Sequence, residues 1–105
     1  MTGFPRQGEV WWAESEDKRR PVLVVTRSDA VPALGWIVVA PVTRTIRGIR
    51  TEIPLGTGDG LPSECTASFD NLQTLRRVLL TERVSDASAD RCAQICSALA
   101  ALADC

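Results

Sequence analysis

The stretch "KRRPVLVV", Lys18 to Val25, decides the fold. Three cations, Lys18, Arg19 and Arg20, precede Pro21, and four consecutive apolar residues of strand character follow it. Pro21 fixes the backbone where charge gives way to the apolar run, so a guanidinium at position 20 is anchored by a buried strand. On either side the same pattern repeats, with short apolar runs divided by turn-forming segments. The expected strands are Glu9 to Glu14, Pro21 to Thr26, Trp36 to Val42, Arg50 to Leu55, Glu64 to Phe69 and Val78 to Thr81. The breaks, "ESEDKRR", "RSDAVPALG", "TRTIRG" and "GTGDGLPS", are rich in Gly, Pro, Asp, Ser or charge. This spacing predicts a mainly β protein, a small antiparallel barrel, rather than alternating β-α-β units.

A single helix closes the chain. Ser85 is its expected N-cap, with Asp86 and Asp90 near the positive end, and it runs to about Ala103. Cys92, Ile95, Cys96, Leu99 and Leu102 make an apolar stripe at helical spacing, yet "CSALAALA" offers almost no polar residue on any side. A helix of that kind needs cover on more than one face, which predicts a homodimer with the helix at or near the interface. An alanine-rich surface helix is the alternative, because small side chains expose little apolar area.

At 105 residues the chain is expected to form one domain over residues 1–105. Its formal net charge is −1, with 45% hydrophobic and 24% charged residues, so any polyanion site must be local. The longest apolar run, "WIVVAPV" at 36–42, is too short to span a bilayer, and "MTGFPRQGE" lacks the features of a signal peptide. A cytoplasmic protein without membrane contact is expected. Cys65, Cys92, Cys96 and Cys105 form no C-x-x-C pair, and there are 0 histidines, so neither a metal nor another cofactor is expected.

Arginine supplies nearly all of the positive charge, in three clusters: Lys18 to Arg20, then Arg44, Arg47 and Arg50, then Arg76 with Arg77. All fall at strand ends, where a small barrel can gather them on one edge. A basic rim with a tryptophan for stacking suits single-stranded nucleic acid. Trp11 and Trp12 are adjacent in a strand, so one indole points inward and the other outward, in an order the sequence leaves open.

The succession "GEVWW", "RRPVLVV", "VVAPVTRTIRG", "TEIPL" and "SECTASFDNLQTL" resembles the MazF/PemK family of type II toxins, sequence-specific endoribonucleases of toxin–antitoxin pairs, in order along nearly the whole chain. The resemblance implies an SH3-like barrel with a C-terminal helix (CcdB/PemK-like) and a homodimer. It further implies metal-independent cleavage of single-stranded RNA and a cognate antitoxin lying over the same surface. Carried over by position, the catalytic arginine falls on Arg20 and the catalytic threonine on Thr43. The expected RNA-binding residues are Lys18, Arg19, Arg44, Arg47 and Trp12, with Asp70, Asn71 and Gln73 of the "DNLQT" segment.

RNA supplies its own nucleophile, the 2′-hydroxyl, so an enzyme need only orient it and stabilise charge on the phosphoryl oxygens. Arg20 suits the second task through its planar fork, and Thr43 can donate to a non-bridging oxygen or hold the nucleophile. Without histidine, the acceptor of the 2′-hydroxyl proton is sought among Glu14, Glu16 and Asp17, with Glu16 the choice, or in solvent. Only seven residues separate Trp12 from Arg20, a shorter loop than in many relatives. A CcdB-like gyrase inhibitor on the same fold, and a non-catalytic RNA-binding barrel, are the alternatives.

Overall fold

The computed structural model describes residues 3–16 and 18–103. Seven strands run β1 (Val10–Glu14), β2 (Arg19–Val24), β3 (Trp36–Thr43), β4 (Glu52–Leu55), β5 (Cys65–Ser68), β6 (Gln73–Arg76) and β7 (Leu80–Ser85), followed by α1 (Ala89–Leu102). Every pairing is antiparallel, in the order β4-β5-β3-β2-β1-β7, with β6 also against β3. β3 is the hub. One edge pairs with β2; the other gives Trp36–Val39 to β6 and Val42 and Thr43 to β5.

The apolar run after Pro21 has a simple cause, for the sheet is covered on both faces and successive residues of β2 enter different cores. Leu23 lies with Val10, Ala40, Ile53, Phe69 and Ile95 in a core closed by β4, β5 and α1. Val22 and Val24 lie with Trp11, Val31, Ile37, Val39 and Leu80 in the other. Each of these residues is at most 7% exposed.

Several boundaries differ from the sequence expectation. Among the described residues the outer strands of the sheet, β4 and β7, do not pair with each other, so the sheet is not closed into a barrel. Instead of one strand over Val78–Thr81, the chain forms β6, a 3₁₀ turn at Arg77–Leu79 that leaves Val78 70% exposed, and β7 reaching Ser85. The free edge of β1 decides this, because it pairs with β7 from Leu80 to Ser85 and so draws those backbone groups into the sheet. Ser85 is thereby spent in a strand, and Ser88 is the N-cap, its Oγ accepting from the Arg91 N–H at 3.0 Å. Of the helix, Arg91, Ile95 and Ala98 are buried against the sheet, while Ala93, Gln94, Ser97 and Ala100 face outward.

Candidate active site

β2 and β3 are in register at Val22↔Pro41, Leu23↔Ala40 and Val24↔Val39. Continued two steps, the same register sets Pro21 across from Val42 and Arg20 across from Thr43. Pairing nevertheless stops at Val22↔Pro41, and both Pro21 and Pro41 lack the N–H that a ladder needs. On its other edge Thr43 is paired with Thr66 of β5. The strands part, and a cavity of about 430 Å³ opens there, lined by Trp12, Pro21, Val42, Thr43, Arg44, Cys65 and the segment Leu61–Ser63. Arg20, adjoining Pro21, is exposed.

Neither Arg19 nor Arg20 lines the cavity, and the side chains of Thr43, Arg20 and Arg19 are held to different degrees. Thr43 Oγ1 accepts a hydrogen bond from the Thr45 N–H at 3.1 Å, a local turn that orients the hydroxyl and leaves its hydrogen available for donation. Arg20 makes no ion pair among the described residues, whereas Arg19 donates to Glu14 Oε2 at 2.8 Å and to Glu82. These two bonds, Glu82 first, raise the Arg19 guanidinium above its ordinary value. Arg19 also stacks on Trp12, its guanidinium carbon 4.9 Å from the ring centre. Trp12 is therefore the outward indole. Trp11 is the inward one, its Nε1 donating to Glu9 Oε1 at 3.0 Å.

Arg19, expected among the RNA-binding residues, is exposed and places its hydrogen bonds on Glu14 of β1 and Glu82 of β7. Glu14, one of the carboxylates considered for proton transfer, accepts from Arg19 and from Thr81 Oγ1. Glu16 is exposed in the β1–β2 turn, where the Lys18 carbonyl accepts from the Ser15 N–H and hydroxyl. Asp17 lies outside the described residues. Arg44 lines the cavity, and Arg47 is exposed in the β3–β4 loop, its N–H donating to Glu52 Oε1 at 3.0 Å.

Asp70, Asn71 and Gln73 sit apart, in the turn between β5 and β6 and the first residue of β6. Asp70 accepts from Thr51 Oγ1 at 2.6 Å, Asn71 donates to Ser68 Oγ at 3.0 Å, and Gln73 pairs with Val39. The three basic clusters do not share one edge. Arg76 pairs with Trp36 at the opposite end of β3, about 23 Å from Thr43 at the usual strand rise. Arg77 is structural, its Nη1 donating to the carbonyls of Val31, Pro32 and Leu34.

Sequence reasoning missed the far wall of the cavity. Leu61, Pro62 and Ser63 belong to a segment that looks like a plain break between strands, Cys65 opens the strand that follows, and no local signal marks either as lining a cavity with Pro21. Burial, followed by the charge of Asp59, raises the Cys65 thiol, which keeps that wall neutral.

Comparison with known proteins extends over almost the whole chain. A family model described as the PemK-like, MazF-like toxin of type II toxin–antitoxin systems matches residues 6–103. A Mycobacterium tuberculosis protein named probable endoribonuclease MazF5 is 39% identical over 107 residues, covering 100% of this chain and 98% of that one. Among solved structures, the Mycobacterium tuberculosis toxin MazF-mt6 superposes with a TM-score of 0.79 at 33% identity, over 89% of this chain and 93% of that one. A mycobacterial endoribonuclease in complex with its cognate antitoxin gives a TM-score of 0.78 at 25% identity, over 92% of each chain.

Proposed function

The chain belongs to the PemK-like, MazF-like toxin family of type II toxin–antitoxin systems, and on that premise we propose that it is an endoribonuclease cutting single-stranded RNA where β2 and β3 diverge. The observation that supports this reading is the β2–β3 register, which, continued two residues past its last pair, brings Arg20 opposite Thr43. A phosphodiester entering there meets a guanidinium that has no ion pair among the described residues and a hydroxyl oriented by the Thr45 N–H.

Arg20 spans two phosphoryl oxygens and neutralises the charge that builds as the 2′-oxygen attacks phosphorus. Thr43 donates to a non-bridging oxygen. The bond from phosphorus to the 5′-oxygen breaks and that oxygen takes a proton from solvent, leaving a 2′,3′-cyclic phosphate and a 5′-hydroxyl. Glu16 is assigned the 2′-hydroxyl proton, since Glu14 is occupied by Arg19 and Thr81. Lys18, Arg44 and Arg47 hold flanking phosphates, and Trp12 offers a stacking face. DNA lacks the attacking group and is inert.

As the toxin of its pair, the protein is neutralised by a cognate antitoxin covering this surface, and it acts in the cytoplasm on RNA needed for translation. No helix among the described residues is long and apolar enough to cross a membrane. A second copy covers the outward face of α1, where small residues such as Ala93, Ser97 and Ala100 permit close approach.

The test is digestion of an RNA oligonucleotide by wild type, Arg20→Ala and Thr43→Ala. Loss of cleavage by orders of magnitude with unchanged circular dichroism supports the site, and wild-type rates in both variants exclude it. A 2′-deoxy nucleotide at the cut position must abolish cutting. A single-chain mass by light scattering at micromolar concentration would remove the dimer.

A further inference from the structure

The cavity beside Thr43 has a mostly uncharged lining. Val42, Leu61 and Cys65 are apolar, with Leu61 only 4% and Cys65 only 6% exposed. Trp12, Pro21 and Pro62 add rigid rings, Ser63 adds a second hydroxyl beside that of Thr43, and Arg44 is the one cation of the lining among the described residues. A phosphate would be poorly served by the apolar part of this lining. A neutral heteroaromatic ring would be well served, with its phosphate left to the cation.

The wall carrying Ser63 is built to hold its shape. Asp59 accepts from the Gly56 N–H at 2.9 Å and from Arg91 Nη2 at 2.6 Å, and Arg91 is itself buried in α1. Gly60 then turns with φ of 82°, where a Cβ would stand 3.1 Å from the Val84 carbonyl oxygen. Leu61 to Ser63 are thus tied at their root to both the helix and β7. A rigid polar group on a rigid wall can discriminate between ring edges, which a mobile loop does poorly.

We propose that this cavity receives one unpaired base of the RNA beside the cut phosphate, stacked between Trp12 and the prolines, with Ser63 reading its edge. The assignment rests on the endonuclease function proposed above and adds a specificity-determining residue to it. Ser63 touches the base, not the reacting atoms, so its removal redistributes cutting among sequences.

The 5′ ends left by digestion of a random-sequence RNA pool are sequenced for wild type, Ser63→Ala and Ser63→Phe. Ser63→Ala is expected to shift base preference by about fivefold at a single position next to the cut, the scale of one hydrogen bond to a neutral group. Ser63→Phe, which fills the cavity, is expected to make cutting indifferent to an abasic nucleotide at that position, whereas wild type slows on it by tenfold or more. An active wild type whose two variants keep the same preference at every position overturns the base site alone. A wild type that cuts no RNA overturns the nuclease function and this site with it.

Discussion

Arg19 lies over Trp12, 4.9 Å from guanidinium carbon to ring centre, while its hydrogen bonds go to Glu14 and Glu82. Three strands meet in that cluster, for Glu14 is in β1, Arg19 in β2 and Glu82 in β7. Two adjacent arginines therefore have different work. Arg19 covers the outward indole, and Arg20, paired in the sheet with Ala13, makes no ion pair among the described residues.

Arg19→Ala should act on binding. With Trp12 no longer held and two carboxylates uncovered near the RNA path, KM should rise about three- to tenfold with kcat little changed. Arg20→Ala should act on the chemical step, lowering kcat by about 10²–10³ as expected for loss of a group that stabilises developing charge. Single-turnover and steady-state cleavage of one oligonucleotide by both variants separates the two effects.

Thr43→Ser should retain most activity, because the hydroxyl that accepts from the Thr45 N–H is kept. Thr43→Val keeps the shape and removes both the bond and the donor. It should lose about 100-fold in rate. Equal loss in the two variants would assign the residue to packing instead.

Arg91→Met should destabilise the protein without touching the reacting groups. The pair with Asp59 is partly buried, with side chains 10% and 26% exposed, and removing one partner strands the other. A loss of about 2–3 kcal/mol is expected, the lower end of the buried-pair range because Asp59 keeps a quarter of its surface in water. Urea unfolding followed by tryptophan fluorescence measures it.

Stability should also fall in alkali. The Cys65 thiol is raised in the folded protein, by burial first and by Asp59 second. A group whose folded value is raised favours the native state below its unfolded value, and this contribution is lost as pH climbs beyond it. The urea midpoint should therefore decline above the ordinary thiol value of about 8.5. Cys65→Ala should flatten that decline, and an identical pH profile in the variant would show that the thiol is not its source.

Much of the fold is legible in local pattern. The runs around Trp11, Val22 to Val25 and Val38 to Val42 alternate or continue as buried strands do, and the final helix carries its own periodicity. Gln73 to Arg76 has no such pattern, being mostly polar and mostly exposed, and becomes a strand only because β3 presents an edge to it. Ser85 and Ser88 are equally good caps by residue type. The pairing of β7 with β1 chooses between them.

The sequence by itself determined that an arginine followed by proline stands at the entrance of a buried strand, that Pro41 and Thr43 end the next long strand, and that the chain belongs among the MazF-like toxins. Those are properties of neighbours along the chain. Tertiary structure alone decided that Arg19 is paired with carboxylates while Arg20 has no ion pair among the described residues, that Arg76 and Arg77 lie at the far end of β3, and that Leu61, Pro62, Ser63 and Cys65 wall the cavity beside Thr43. The physical reason is that charge pairing and cavity shape depend on distances through space. Glu82 meets Arg19 across 63 positions of sequence, a separation at which no local preference carries information.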